Sequence, residues 1–252
     1  SVGSMVVVIG AFVMMLIDTG SLGLLQTVGV TGVPAYIIAI LLGCLLGMAL
    51  GGVNGVLITK GKMPPFIATL GTMMIYRSVT QQVMQGYTPS VPRPFLQIAS
   101  IKIGGQMVMP MLYWLILAIV FHIISRRTTF GRQVIAIGSN ERAARLSGVN
   151  VNKIKLRVYV LIGFLVALST ILQVSRIGSM DYANAGSGYE MDAISATIVG
   201  GTSMSGGRGT IVGTAVGTLI IVVMNNLLNL IGVPPFLREA FKGVILIFAV
   251  LL

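Results

Sequence analysis

Long apolar runs, separated by short clusters of glycine, proline and charge, fill almost the whole chain. A helix needs about 20 such residues to cross roughly 30 Å of hydrocarbon, and on that measure the pattern predicts eight membrane spans. The first covers about Val2 to Ile17 and stops at Asp18. TGSLG and GVTGVP follow, and Pro34, suited to a first helical turn, opens the second span, which runs to about Ile58 before Lys60 and Lys62. The third runs from about Pro65 to Gln85. Gly86 to Gly105, with Pro89, Pro92 and Pro94, reads as a loop, and Gln106 to Ser125 as the fourth span. The fifth, about Val158 to Val174, leads to Arg176 and a polar segment through Gly188. A run around Asp192 is too short to cross comfortably and is broken by GGTSMSGGRG. It reads either as an interrupted helix beside a water-filled route or as a short sixth span with a glycine-rich turn. The seventh starts near Gly209, and the eighth runs from Pro235 to Leu252. The fold class is therefore all-α, a polytopic helical bundle in a lipid bilayer, with residues 1–252 as one transmembrane domain.

Several helix faces carry more than greasy filler. Gly43, Gly47, Gly51 and Gly55 recur every four residues in the second span, which lets another backbone approach closely in lipid. Asn54 falls within the same arc, as interhelical glue or as a place on a solute path. Thr69, Thr72, Tyr76 and Thr80 share one face of the third span; they line a polar path or bond back to their own helix. Arg77, partway along that helix, is costly in hydrocarbon unless it snorkels or is paired. Gly209, Gly213 and Gly217 repeat the close-packing pattern, and Asn225 and Asn229 share a face further on. A glycine-rich helix followed by PPF occurs at Gly43 to Phe66 and again at Gly209 to Phe236. An inverted repeat would look like this, although the unequal spacings favour chance.

Charge fixes a direction for these spans. Lys and Arg number 17 against 6 acids, a net +11, and 9% of residues are charged while 55% are hydrophobic. In a soluble chain such a balance would suggest nucleic acid. Here the cations sit in loops between apolar runs, which excludes that partner and makes them the topology signal. Arg126 to Arg157 holds eight of the 17 cations and one acid, Glu141, so loop 126–157 is expected on the cytoplasmic side. It carries a short helix of its own: Ser139 or Asn140 can cap it, Glu141 suits the first turn, Arg142 to Ser147 continue it, and Gly148 can end it in the left-handed conformation. The expected product is a stiff peg; its plainer reading is an amphipathic helix whose Arg142 and Arg145 rest on lipid phosphates.

Candidate chemistry is sparse. Cys44 lies in an apolar run and His122 stands alone, which leaves no disulfide framework and no metal site of the Cys or His kind. HExxH is absent, as is any Ser, His and Asp group, so no catalytic residues are assigned. GGTSMSGGRG lacks the GK followed by Ser or Thr that a phosphate-binding loop requires.

Two long segments carry a resemblance. GSNERAARLSGVNVNKIK (Gly138 to Lys155) and GYEMDAISATIVGGTSMSGGRGTIVGT (Gly188 to Thr214) closely resemble the membrane subunits of bacterial ABC importers for monosaccharides, the ribose, xylose, arabinose and galactose permease family. The resemblance implies a multi-pass protein of the bacterial cytoplasmic membrane and a permease that is not itself an enzyme. The peg, Asn140, Glu141, Arg142, Ala143, Ala144, Arg145, Leu146, Ser147 and Gly148, then becomes the coupling helix seated in a groove of the ATPase. It further implies two ATPase subunits that hold ATP and Mg, an extracytoplasmic sugar-binding protein, and a second permease subunit, normally a copy of the first. This chain would hold no cofactor. Asn54, Thr69, Thr72, Tyr76, Thr80, Asp192, Asn225 and Asn229 are the candidates for its translocation path. In the family SVGS ends a GIDLSVGS segment preceded by roughly two further spans, which implies that this chain is a fragment of a ten-span permease lacking those spans and a short polar tail. Two alternatives stay open: a branched-chain amino-acid ABC permease, which would call for helix dipoles or charges near the path, and an ion-coupled secondary transporter with Asp192 as its acid.

Overall fold

The apolar runs fold as helices whose meeting points are set by glycine. The computed structural model describes all residues except 21–22, 88, 90, 101, 104–105, 235–236, 238–239, 242 and 245–252. The chain divides into two compact units, Ser1–Leu112 with Lys155–Ser187, and Tyr113–Ile154 with Gly188–Leu252.

In the first unit α1 (Val2–Ile17) is the core. Val7, Ile9, Val13 and Met14 are fully buried, and α3 (Val33–Thr59) and α4 (Pro65–Met84) pack on it. A four-residue turn of helix, α2 (Leu24–Thr27), precedes α3. Pro34 sits in the first turn of α3, where its missing N–H costs nothing. The four-residue glycine repeat does what close packing requires. A Cβ at Gly51 would run into the Tyr159 carbonyl of α9 (Val151–Ile177), and one at Gly163 into that of Gly47. Gly55 faces Leu156, while Gly43 instead meets Val13 of α1. Backbones this close gain dispersion contacts and exclude lipid, which is what drives helix association in a bilayer.

Arg77 is paired. Its guanidinium donates to the carbonyls of Ala183 and, at 3.0 Å, Ala185, in the non-helical segment after α9. That segment lies beside α1, with Met180 against Gly10 and Gly186 against the backbone of Gly3. Asp181 accepts from Asn184 Nδ2 at 2.8 Å and from the Ala183 N–H at 2.9 Å. These bonds, the Asn184 side chain first, hold its carboxyl below the ordinary carboxylate range.

Segment 86–105, expected as a loop, contains a helix, α5 (Arg93–Ser100), and then β1 (Lys102–Ile103), whose partner is β2 (Gln106–Met107). The two strands pair antiparallel with Lys102 opposite Met107. The run expected from Gln106 therefore becomes helical only at Met109, as α6 (Met109–Arg127). α5 is strongly two-sided: Phe95 is buried and packs edge-on against Tyr36, with ring centroids 5.7 Å apart. α9 starts at Val151, inside the basic segment and earlier than the apolar run alone predicts, because Asn150 caps it by accepting the Lys153 N–H at 3.1 Å.

In the second unit α10 (Tyr189–Val199) and α11 (Ile211–Leu230) form an antiparallel pair. A Cβ at Gly217 would strike the Ala196 carbonyl and one at Gly213 the Gly200 carbonyl, so both glycines serve this contact. α10 is about 16 Å long at 1.5 Å per residue, about half the hydrocarbon thickness. Thr210 caps α11 by accepting the Gly213 N–H at 3.0 Å. Among the described residues four helices, α3, α6, α9 and α11, are long and apolar enough to cross a membrane. The expected eighth span, Pro235 to Leu252, and the second PPF motif fall mostly outside the described residues.

Candidate functional site

The basic loop is a helical elbow. α6 runs to Arg127, and Thr128 then caps a helix that sequence reasoning missed, α7 (Thr129–Ser139), by accepting the Gly131 N–H at 3.2 Å. A Cβ at Gly131 would strike the Ser125 carbonyl, which makes the tight turn dependent on glycine. Asn140 is extended (φ −158°, ψ 104°), and its Oδ1 accepts the Ala143 N–H at 3.0 Å, capping α8 (Glu141–Leu146). Gly148 follows at φ +81°, the left-handed residue expected at the end of the peg. Arg145 donates to Glu141 at 3.2 Å one helical turn away, in solvent, so the pair adds only a few tenths of a kcal/mol. α8 packs on α7. Ala144 is turned inward at 5% exposure, whereas Leu146 is 90% exposed and Arg142, Ala143 and Arg145 are exposed beside it.

α7 ends against the glycine-rich turn. A Cβ at Gly138 would stand 2.7 Å from the Gly207 nitrogen, and one at Gly206 2.5 Å from the Gly138 oxygen. Gly206 (φ +86°) and Gly207 (φ +75°) also need the left-handed region. The turn is closed by the Ser203 N–H donating to the Arg208 carbonyl at 3.0 Å. Within the second unit, then, contact runs from α8 to α7, from α7 to the turn, and from the turn into the α10–α11 pair that it joins.

The candidate path residues fall into two groups. In the first unit the hydroxyl face of α4 is its packed face: Ala68, Thr72, Tyr76, Thr80 and Met84 are buried, while Phe66, Met74, Ile75 and Val79 are exposed. The Thr72 hydroxyl lies 2.7 Å from Asn54 Oδ1 and 3.0 Å from the Ala68 carbonyl, and Asn54 Nδ2 donates to Ser1 Oγ at 3.3 Å. Tyr76 donates to the Leu50 carbonyl at 3.2 Å, Thr80 to the Tyr76 carbonyl at 2.8 Å and Thr69 to the Pro65 carbonyl at 2.9 Å. Asn54, Thr72 and Tyr76 thus tie α3 to α4, while Thr69 and Thr80 bond back to their own helix. In the second unit Asp192 is half-buried in the first turn of α10, its N–H donating to the Gly188 carbonyl at 3.0 Å. The antiparallel register set by Gly200–Gly213 and Ala196–Gly217 carries Asn225 level with the start of α10. Its Oδ1 is buried without a hydrogen-bond partner among the described residues, and Asn229, one turn on, is exposed.

Sequence reasoning also passed over Asp18, which is 1% exposed and accepts from the Tyr87 hydroxyl at 2.9 Å. The signal was present: a lone acid closing an apolar helix must find hydrogen bonds or water. Gly163, alone on α9, and Gly138, seven residues from Gly131 on α7, gave less warning, and only the partner element reveals why each is small.

Among the described residues, four helices long and apolar enough to cross a membrane, together with a capped basic elbow, define a helical membrane protein. The chain belongs to the family described as branched-chain amino acid transport system / permease component, whose model matches residues 1–250. It is 41% identical over 225 residues to the ribose import permease protein RbsC of Bacillus subtilis (strain 168), covering 86% of this chain and 67% of that protein. It is 42% identical over 222 residues to RbsC of Escherichia coli (strain K12), covering 85% and 68%. To the galactose/methyl galactoside import permease protein MglC of Escherichia coli (strain K12) it is 38% identical over 224 residues, covering 85% and 66%. No solved structure matches. The family is one of transport components rather than enzymes.

Proposed function

We propose that the chain is the permease subunit of an ATP-driven importer for a monosaccharide and receives the stroke of a cytoplasmic ATPase through α8 and its capping residues, Asn140 to Gly148. The observation that carries the reading is identity of about 40% to ribose and galactose import permeases over most of the chain. The geometry supports it. α8 is capped at both ends, exposes Leu146 together with Arg142 and Arg145, and reaches the α10–α11 pair through Gly138 and the glycine-rich turn. A helix whose ends are fixed transmits displacement instead of absorbing it.

Under this reading residues 1–252 act as one permease domain in the bacterial cytoplasmic membrane, with loop 126–157 inside. The crossings are α1, α3, α4, α6, α9 and α11, the short α10 and a last run from Pro235, eight in all. Two ATPase subunits hold the ATP and Mg, an extracytoplasmic binding protein delivers the sugar, and a second copy of the permease completes the path. Polar side chains at Asn54, Thr69, Thr72, Tyr76, Thr80, Asp192, Asn225 and Asn229 stand near that path, tuned by small shifts of glycine-packed helices. The family description also names branched-chain amino acids; a sugar is favoured because the relatives at about 40% identity import ribose and galactose.

The test is co-purification of the full-length protein with the ATPase subunits encoded beside it, and site-specific crosslinking from α8. Because Ala144 is buried, the crosslinker belongs at Ala143 or Leu146. Crosslinks from those two positions to an ATPase, together with ATP-dependent uptake of ribose or galactose into proteoliposomes, are expected. Crosslinks to lipid alone, with no ATPase co-purifying, would refute the coupling role.

A further inference from the structure

A small polar pocket opens at the end of the first unit where α1 stops and α3 begins. Its volume is about 160 Å³, below the roughly 300 Å³ or more of drug-sized sites. Asp18, Thr19, Gln26, Thr31, Tyr36 and Pro92 line it together with apolar residues of α1 and α3. Asp18 is the buried one of the described polar lining residues, held by the Tyr87 hydroxyl. The Tyr36 ring is fixed edge-on by the buried Phe95. No Lys, Arg or His is among the described lining residues.

The charges of the same unit say which way the pocket faces. Lys60 and Lys62 follow α3, and Lys155 and Arg157 open α9, whose Leu156 packs against Gly55 near the same end of α3. Tyr36 and Lys60 are about 36 Å apart along α3 at 1.5 Å per residue. Loops rich in Lys and Arg stay cytoplasmic, so the pocket opens on the extracytoplasmic side, where a delivered solute first meets the permease.

We propose that this pocket is a receiving site for one neutral sugar ring. A carboxylate accepts from sugar hydroxyls, Gln26, Thr19 and Thr31 can each both donate and accept, and the immobilised tyrosine offers a flat face to ring C–H groups. With no cation among the described lining residues, neither an anionic solute nor an amino-acid carboxylate would find a charged partner in the lining. The proposal rests on the importer reading given above and adds where the sugar first binds.

The test uses the full-length permease with its ATPase and binding protein in proteoliposomes, and labelled D-ribose and D-galactose as probes. Gln26 and Thr31 are exposed and outside the core, so Gln26→Ala and Thr31→Val leave folding intact; Asp18→Asn serves as the stronger variant. Each exposed variant is expected to lower uptake about five-fold, the effect of losing one hydrogen bond to ligand, while ATP hydrolysis stimulated by the binding protein persists. Saturation-transfer NMR on the purified permease should show contact with ribose or galactose but not with leucine, and lose it in the double variant. Wild-type uptake with unchanged uptake and saturation transfer in the variants overturns the pocket and leaves the importer standing. A leucine signal lost in the double variant overturns the sugar assignment. ATP-dependent uptake of neither sugar by the wild type overturns the importer reading and the pocket with it.

Discussion

Gly138→Ala isolates the contact between the peg and the glycine-rich turn. The added Cβ would stand 2.7 Å from the Gly207 nitrogen and 3.4 Å from its Cα. Non-bonded heavy atoms settle at about 3.5–4.0 Å, so α7 and the turn must part by roughly 1 Å. The turn cannot yield easily, since Gly206 and Gly207 are both at positive φ and Gly206 faces the Gly138 oxygen from the other side. Overpacking of this kind costs about 1–3 kcal/mol, which a domain of ordinary stability, about 5–15 kcal/mol, survives. Under the proposed coupling role the variant still inserts and binds its ATPase, but movement of α8 reaches α10 and α11 through a loosened joint. If even 1.4 kcal/mol of that cost falls on the transport step, uptake per ATP drops about ten-fold. Labelled ribose uptake and phosphate release measured in the same proteoliposomes give the ratio. Gly71→Ala is the control, because nothing lies within 4 Å of the added carbon. Wild-type uptake per ATP in Gly138→Ala, with normal amounts of complex in the membrane, would refute transmission through this contact.

Gly51→Ala, which drives a methyl into the Tyr159 carbonyl, should cost about 1–3 kcal/mol and lower the detergent-state Tm by about 2–4 °C per kcal/mol, read by a thermal shift assay. Thr72→Val should weaken the α3–α4 tie by about 0.6–1.7 kcal/mol, and a double-mutant cycle with Asn54→Leu should return most of that as coupling. Asn140→Ala removes the α8 cap at a cost of about 1 kcal/mol; faster hydrogen exchange at the Ala143 amide and reduced uptake are expected, and an unchanged amide would place the cap elsewhere. The depressed Asp181 carboxyl stabilises its segment at pH values above the usual carboxylate range, near 3.9, and loses that effect as pH falls through its lower folded value. The protection of the Ala183 amide, its exchange rate relative to that of an unprotected amide at the same pH, should therefore fall on acidification in the wild type and stay constant with pH in Asp181→Asn.

What could be read from sequence divides by the range of the interaction responsible. Helix existence came from apolar run length, and the bounds of α1 and α4 agree with the reading to within one residue because Asp18 and the Pro64–Pro65 pair punctuate them sharply. The left-handed end at Gly148 and the cap at Asn140 were equally legible, since both act within four residues. α7 was missed because its polar and apolar residues follow no run long enough to suggest a span, and its Thr128 cap is one hydroxyl among several. α5 was hidden by Pro89 and Pro92 before it and Pro94 in its first turn, which read as loop. The glycine repeat of α3 announced a close contact but could not name α9 as the main partner, and the inward turn of Ala144 depends on how α8 meets α7, which no local pattern encodes. The hydroxyl stripe of α4 was visible as a stripe. That it is the packed face follows from tertiary contacts with α1 and α3.

Arg77 and Gly186 show how two apparently unrelated residues answer one requirement. A segment without helix, such as 178–187, leaves backbone carbonyls that must be paired wherever water is excluded. Local turns satisfy some, as when the Ala185 N–H donates to the Asp181 carbonyl at 2.7 Å, but the Ala183 and Ala185 carbonyls are taken by Arg77. Arginine suits the task because its planar fork can hold two acceptors at once, whereas a lysine would bring a single point charge to the same place. The fork can reach them only if the segment lies flat beside α1, and there Gly186 meets the backbone of Gly3 at φ +68°, a conformation and a spacing that a side chain would forbid. The cation in α4 and the glycine after α9 therefore close the first unit together. The cost of a charge in an apolar helix is offset by the backbone it satisfies, which is why Arg77 sits toward α1 and the segment while the opposite, lipid-suited side of α4 is left to Met74, Ile75 and Val79.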